Sequence, residues 1–246
     1  MSGIHLLDIS FTNQGQREAI TPVLLQDEQE TILVDCGYPD FVPLLAEAVG
    51  RIGLTLAAVT KLIVTHHDID HMGSLAALKR MYPKVAIIAH EAEVPYIEGT
   101  IKSLRQQQAE ATLDAQPEEG KGQVEPFIRF LQSMETVKVD QKVTHGDKLP
   151  WCGGIEVIHT PGHMPGHLSL YLAGTKTLIT GDAVVIENGK LAIANPQYTL
   201  DLDAAIRSLH RLLDYDFEQI VCYHGGLFVG DGRKALHELI QAYKKR

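Results

Sequence analysis

The sequence has no excess of positive charge. Its 246 residues carry 22 Lys+Arg against 31 Asp+Glu, which gives a formal net charge of −9. A net-negative protein repels the phosphate backbone of nucleic acids and the headgroups of anionic lipids. We therefore expect no nucleic-acid partner and no membrane partner.

Long apolar runs and paired cysteines are also missing. No stretch approaches the ~18 consecutive apolar residues that span a bilayer. The first ten residues, MSGIHLLDIS, lack a basic segment and carry Asp8 within their apolar stretch, unlike a signal peptide. The cysteines Cys36, Cys152 and Cys222 are too few and too scattered for a disulfide framework or a C-x-x-C site. These absences predict a cytoplasmic protein.

What the sequence does have is an alternation of strand and helix patterns. Strand patterns cover 31–35, 61–65, 85–89, 136–143, 155–159, 168–172, 177–180 and 219–223. Apolar residues at helical spacing follow the first two of these strands and recur in the last third of the chain. Strands that alternate with helices are typical of α/β folds in which helices cover sheets. We expect one domain over residues 1–246.

Residues 92–135 differ from the rest in composition. A polar stretch, RQQQAEATLDAQPEEGKGQ, lies between two short apolar stripes. The stripes are Ile97, Ile101 and Leu104, and then Phe127, Phe130, Leu131 and Met134, with Pro126 expected at a first helical position. Too few apolar residues are present for an independent core, so the segment is predicted to be a helical insertion. It either packs on the main body or caps a site.

Histidines and aspartates cluster at four predicted strand ends. They are His66, Asp68, Asp70 and His71 in THHDIDHMGSL, His163 in HTPGHMPGH, Asp182 in TGD, and His224 in YHGG. Functional sites of α/β proteins usually lie at the carboxyl edge of a sheet. Such a density of imidazoles and carboxylates is costly unless a charge compensates it, and a divalent metal does so directly. The pattern predicts a metal site.

These four pieces, in this order, resemble the metallo-β-lactamase-fold hydrolases, and Asp35 matches the D-x-G turn of that family. The resemblance implies a four-layer αββα sandwich of two mixed sheets, with the metals at one edge and 92–135 as a cap insertion. It also implies the ligand assignment for two divalent ions. One ion is held by His66, Asp68 and His163, the other by Asp70, His71 and His224, and Asp182 bridges them.

Asp68 departs from the family, which usually has a histidine at that position. An extra carboxylate is expected to make its ion a weaker Lewis acid and to favour Mn or Fe over Zn. Zn(II) is the first expectation and Mn or Fe the alternatives. Asp68 is expected to ligate, with two alternatives: it swings away from the metal, or it caps the start of a helix. Replacing Asp68 by His is accordingly expected to raise zinc affinity.

The chemistry that the resemblance implies is hydrolysis of a small-molecule substrate, a carboxylic ester, thioester or lactone, by a metal-bridging hydroxide. Asp70 and Asp182 are then the catalytic carboxylates. The segments HTPGHMPGHLSLYL and GDA are similar to the lactonase and glyoxalase II-like branches, although Val185 stands where the lactonases carry a tyrosine.

Three other functions stay open. One is iron-dependent oxidation, like that of persulfide dioxygenases, by His66, His163 and Asp182. The second is a phosphodiesterase that acts on something other than nucleic acid, and the third is a non-catalytic metal-binding module. A homodimer is one alternative for the oligomeric state.

The remaining histidines near the motifs are expected to support the ligands rather than join them. Alternation along an extended segment points His67 away from its neighbours. His159 and His167 flank His163 and are expected to form hydrogen bonds around their loop.

Overall fold

The computed structural model describes residues 3–13 and 15–244. Its strands are β1 Gly3–Leu6, β2 Ile9–Asn13, β3 Gln16–Ile20, β4 Val23–Gln26, β5 Thr31–Val34, β6 Lys61–Val64, β7 Ala86–His90, β8 Gln141–Val143, β9 Lys148–Leu149, β10 Ile155–His159, β11 Leu168–Leu172, β12 Thr177–Ile179, β13 Val185–Glu187, β14 Lys190–Ala192, β15 Gln219–Cys222 and β16 Gly226–Leu227. Its helices are α1 Val42–Arg51, α2 Ile69–Met72, α3 Leu75–Met81, α4 Val94–Ile97, α5 Leu104–Ala115, α6 Glu118–Gln132, α7 Leu202–Leu212 and α8 Gly232–Lys244.

Twelve of the strands form two mixed sheets of six. The first sheet has the order β1-β4-β5-β6-β7-β8, in which β5 to β8 run parallel. The second has the order β16-β15-β12-β11-β10-β9, in which the β12–β15 pair is parallel and its other pairs are antiparallel. The remaining strands form two hairpins, β2-β3 and β13-β14.

Alternating residues of a strand pack into two different hydrophobic cores. In β5, Ile32 and Val34 pack between the sheets against Val157 of β10, whereas Leu33 faces the helices on the other side. Successive side chains of a strand point to opposite faces, so a continuous apolar run is what a strand covered on both sides requires.

Helices cover the outer face of each sheet. Leu45 of α1 and Leu75 of α3 pack on the first sheet. Leu209 of α7 and Leu236 of α8 pack on the second. The layers follow the order αββα, which confirms the predicted fold class. Among the helices of residues 3–13 and 15–244, none combines the length and apolar character needed to cross a bilayer.

The strand predicted over 136–143 is much shorter in the structure. Only Gln141–Val143 pairs with β7. Before it, Val137 N–H donates to Ile97 O at 3.0 Å and Val139 N–H donates to the Glu98 carboxylate at 3.0 Å. Because these donors are satisfied at the end of α4, residues 136–139 join no sheet. The first backbone bond to β7 comes from Asp140, whose N–H donates to Ile87 O at 2.9 Å.

Four strands before residue 31 have no counterpart among the predicted strands. β2 and β3 are largely polar and exposed, and β1 is half-buried throughout. The apolar patterns of these three strands are too weak to distinguish them from loops. The fourth, β4, is apolar and buried, so its sequence does carry a strand pattern that the prediction omits.

The insertion is helical, as predicted, but its second helix differs in detail. Pro126 lies inside α6 rather than at its first position, at the cost of one backbone hydrogen bond. The buried face is Val124, Ile128 and Leu131, at i, i+4 and i+7, which packs against Ala109 of α5. The predicted stripe is therefore wrong for Phe127 and Phe130, each 38% exposed.

Candidate metal centre

Strand ends from both sheets deliver the predicted ligands to one edge of the sandwich. The run from His66 to His71 follows β6 in the first sheet, whereas Asp182 follows β12 and His224 follows β15 in the second. Leu168 N–H donates to Thr65 O at 3.1 Å and ties the two sheets together there. The edge contains all seven predicted side chains.

The seven side chains form three overlapping groups. They are His66, Asp68 and His163; His66, His71 and Asp182; and Asp70, His71 and His224, and within each group the ligand atoms lie within 4.8 Å of one another. We call the first the inner group and the last the outer group. Each has the nitrogen and oxygen donors that zinc and other first-row divalent ions take.

Asp182 lies between the inner and outer groups. Its Oδ1 is 3.3 Å from His71 Nε2 and 3.6 Å from His224 Nε2, on the outer side. Its Oδ2 is 3.6 Å from His163 Nε2, on the inner side. The two oxygens of one carboxylate thus face different groups, which is the arrangement a bridging ligand needs.

Three buried atoms of the centre show that these residues fit a metal. Among the described residues, His66 Nε2, His71 Nε2 and Asp182 Oδ1 have no hydrogen-bond partner, and the three residues form one of the ligand groups. Buried polar atoms almost always have a partner, and a cation would supply one for these three. His163 differs from the other histidines, because its Nε2 faces Asp68 at 3.0 Å and its Nδ1 is the unpaired nitrogen.

Asp35 and Thr65 fix the orientation of two of the histidines. His71 Nδ1–H donates to Asp35 Oδ2 at 2.8 Å, and Thr65 Oγ1–H donates to the same oxygen at 2.8 Å. Thr65 Oγ1 lies 3.0 Å from His66 Nδ1. Both imidazoles therefore present Nε2 to the centre. The D-x-G turn accounts for this, since Asp35 adopts a left-handed backbone with φ +59°.

His167 supports Asp182 without facing the centre as a ligand. Its Nε2 accepts the Asp182 N–H at 2.9 Å, and its Nδ1 lies 2.8 Å from Thr160 Oγ1. Burial holds the pKa of His167 well below its usual range, so it stays neutral and keeps an acceptor nitrogen. Gly181 permits this contact, because a Cβ there would lie 2.7 Å from His167 Nε2. His159 bonds Pro165 O instead, at 2.7 Å.

Glu93 connects the two loops that carry the inner ligands, and the sequence analysis missed it. Its Oε2 accepts hydrogen bonds from the backbone N–H and Nδ1 of His67, and its Oε1 accepts the Gly166 N–H at 2.7 Å. Burial alone would raise the pKa of Glu93, but the charge and hydrogen bond of His67 lower it. His67 points away from the centre, as predicted. Nothing in the sequence distinguishes Glu93 from an exposed helical glutamate.

Arg105 of α5 reaches Asp68, and the sequence analysis missed this contact too. Nε donates to Oδ1 at 3.1 Å and Nη2 to Oδ2 at 2.6 Å. The side chains of Arg105 and Asp68 are 8% and 9% exposed. Asp68 occupies the position before α2 but caps no backbone N–H there with its side chain. The helix-capping alternative for Asp68 is therefore wrong.

The charges of the centre are complementary. Burial would raise the pKa values of Asp68 and Asp182, but the neighbouring histidines hold both well below the usual range. Burial would lower the pKa of His71, but Asp182, Asp70 and Asp35 raise it well above its ordinary value. Without a metal, the histidines of the centre therefore hold protons next to ionised carboxylates. A divalent ion would displace those protons.

An aromatic cleft of about 920 Å³ opens onto the centre. Its aromatic lining residues are Phe11, Tyr38, Phe41, Phe127, Phe130 and Tyr198. The insertion supplies Phe127, Phe130 and Arg105, and Arg105 is the only Lys or Arg in the lining formed by the described residues.

Comparisons with known proteins agree with this geometry. The model of the Metallo-beta-lactamase superfamily matches residues 16–224. The probable metallo-hydrolase YflN of Bacillus subtilis (strain 168) is 26% identical over 246 residues, covering 91% of this chain and 84% of that protein. A hydroxyacylglutathione hydrolase of Mesorhizobium japonicum is 32% identical over 165 residues, covering 66% of this chain but 47% of that protein.

A solved structure shares the fold. It is a metallo-beta-lactamase family protein from Thermus thermophilus, which is 23% identical and superposes with a TM-score of 0.76 over 99% of this chain and 80% of that chain. The family match, the αββα layers and the histidine–aspartate centre at the sheet edge lead to one conclusion. The chain belongs to the metallo-beta-lactamase superfamily.

Proposed function

We propose that the protein is a dinuclear metallohydrolase that cleaves a carboxylic ester, thioester or lactone of a small molecule. The observation that carries this proposal is the position of Asp182, whose two carboxylate oxygens face the inner and outer ligand groups at the floor of one cleft. The names of the similar proteins, a probable metallo-hydrolase and a hydroxyacylglutathione hydrolase, support the same class of reaction.

The ligand assignment follows the two groups. His66, Asp68 and His163 hold the inner ion, Asp70, His71 and His224 hold the outer one, and Asp182 bridges. When bound, such ions supply Lewis acidity and lower the pKa of a coordinated water. We propose Zn(II) first, with Mn or Fe as alternatives, since imidazole suits several of these metals and carboxylate favours the harder ones.

Asp70 is placed to orient the attacking water. Its side chain is 15% exposed and lines the cleft, and its Oδ2 lies 3.1 Å from His224 Nε2. Burial would raise the pKa of Asp70, but His71 and His224 lower it. The carboxylate is therefore ionised at neutral pH and would accept a hydrogen bond from the water, which orients it without taking its proton.

The cleft favours an apolar, uncharged acyl group. Its aromatic walls bury apolar surface well, and its one cationic lining residue, Arg105, is already paired with Asp68. No free cation of the described lining is left to bind a substrate carboxylate. We therefore propose aryl or alkyl esters and lactones ahead of anionic thioesters, and residues 92–135 as the cap that excludes water from them.

One assay series tests this function. Purified protein is stripped with chelator, reconstituted with Zn(II), Mn(II) or Fe(II), and offered phenyl esters, lactones, an uncharged thioester, S-lactoylglutathione and a phosphodiester. We expect metal-dependent hydrolysis that is fastest with uncharged aryl substrates and is lost in Asp182→Ala. Oxygen uptake with glutathione persulfide by the iron-loaded protein, without hydrolysis of any ester, thioester or lactone, would instead establish the persulfide dioxygenase alternative. Turnover of the phosphodiester alone would establish the phosphodiesterase.

A further inference from the structure

Arg105 is held in its position by more than Asp68. Its Nη1 donates to Gln108 Oε1 at 2.7 Å and its Nη2 to Tyr198 O at 3.1 Å, while the guanidinium lies 5.0 Å from the centre of the Tyr198 ring. The guanidinium is therefore fixed beside the inner group by contacts that do not depend on the side chain at position 68.

The pairing of Arg105 with Asp68 changes the electrostatic character of the inner group. A carboxylate contributes one negative charge and a guanidinium one positive charge, so the pair is neutral, as an imidazole would be. Asp68 Oδ2 still faces the inner group, at 3.5 Å from His66 Nε2 and 3.0 Å from His163 Nε2. The bidentate geometry uses the planar fork that matches guanidinium to carboxylate.

We propose that Arg105 compensates the charge of Asp68, so that the two residues together replace one neutral histidine at the inner ion. This inference rests on the proposed metal centre. It makes Arg105 a positioning residue for metal binding that acts from the insertion and needs no contact with substrate.

The proposal reverses the expectation for Asp68→His. The sequence alone predicts that the histidine raises zinc affinity. With Arg105 still fixed beside the site, the variant instead leaves an unpaired positive charge next to a divalent cation. Two like charges a few ångströms apart repel strongly even at a moderate dielectric constant. We expect Asp68→His to bind inner-site zinc at least about tenfold more weakly than the double variant Asp68→His/Arg105→Met, which lacks that charge.

The test compares four proteins: the natural sequence, Asp68→His, Arg105→Met and the double variant. Zinc affinity is measured by competition with a chromophoric chelator, so no substrate is needed. Arg105→Met is expected to bind zinc no more weakly than the natural protein, because Asp68 keeps its charge. The double variant is expected to recover the affinity that Asp68→His loses. Arg129→Met, at an arginine whose side chain is 64% exposed on α6, is the matched control.

Thermal unfolding of the metal-free proteins separates this role from a structural one. A purely structural ion pair would lower the melting temperature of both single variants and would lower zinc affinity in Arg105→Met as much as in Asp68→His. Equal zinc affinities for Asp68→His and the double variant would overturn the inference while leaving the proposed function intact. A natural protein that binds no zinc, manganese or iron would overturn both.

Discussion

The inner and outer ligand groups differ in what surrounds them. The side chains of His66, Asp68 and His163 are 0%, 9% and 4% exposed, and Arg105 closes them off from the insertion side. In the outer group, His71 is 0% exposed, but Asp70 is 15% and His224 is 34% exposed. The outer group is anchored to the sandwich through Asp35 and opens onto the cleft.

This difference indicates a division of roles. The more deeply buried inner group is paired with a charge brought by the insertion, whereas the more exposed outer group is anchored by Asp35 of the scaffold. Residues of both groups line the cleft. Asp182 faces both groups, so its loss should affect both ions.

The largest effect is expected from Asp182→Ala. Loss of a residue that only supports a ligand costs about 10–100-fold in metal affinity or activity, and a shared ligand should cost more than about a hundredfold. Hydrolysis rate and metal content by elemental analysis are the measurements. His145→Ala, which removes an exposed histidine outside the centre, should change neither. Full activity in Asp182→Ala would contradict the assignment of Asp182 as a bridging ligand.

Metal removal is the second test, and its effect is measured on the stability of the fold. An ion present at about a thousand times its Kd stabilises the folded state by about 4 kcal/mol, and chelation should lower the free energy of unfolding by that order. The chelator should extract metal in two phases, the faster from the exposed outer group. Extraction in one phase from both groups would contradict the difference between them.

Glu93→Gln tests the hydrogen bonds by which Glu93 joins the two loops that carry the ligands of the inner group. Hydrogen bonds to a charged group contribute about 1.5–3 kcal/mol each, so we expect the metal-free variant to lose about 2 kcal/mol at pH 7. The lowered pKa of Glu93 means that its stabilisation is present above the ordinary value of 4.5 and is lost as the pH falls through the folded-state value. Urea unfolding should therefore show the two proteins converging below pH 4.5. A constant difference down to pH 3 would show that the charge of Glu93 is unimportant.

The smallest effect concerns the cap. Phe130 is 38% exposed and lines the cleft, so Phe130→Ala should raise KM for an aryl ester by a few-fold, about 1 kcal/mol of lost apolar contact. Stability should change by less than about 0.5 kcal/mol. Met81→Ala, at a 57% exposed apolar residue of α3 outside the cleft lining, is the control. An unchanged KM in Phe130→Ala would argue against the cap.

Sequence patterns were sufficient for the parts of the molecule that follow a local rule. The buried runs of β5, β6 and β7 specify strands, and the glycine turn at Gly37 specifies the end of β5. The order of the motifs, through the family resemblance, specifies which strand ends meet. That is why the layers and the placement of all seven side chains agree with the sequence analysis.

The contacts that the sequence did not reveal span long distances along the chain. Arg105 meets Asp68 across 37 positions, and Glu93 meets Gly166 across 73. Both lie in a polar segment, where an arginine or a glutamate is ordinarily solvated. The packing of α5 against the sheet edge buries Arg105, and the two loops that carry His67 and Gly166 enclose Glu93. Pro126 is the opposite case. Its strong local preference predicts the start of a helix, but the packing of α6 on α5 places it inside the helix.

The proposal that Asp182 bridges two metal ions can be tested with an anomalous-difference map at the zinc edge from crystals of the fully loaded protein. We expect two peaks, one at His66, Asp68 and His163 and one at Asp70, His71 and His224, with Asp182 between them. A single peak, or zinc bound away from Asp182, would contradict it.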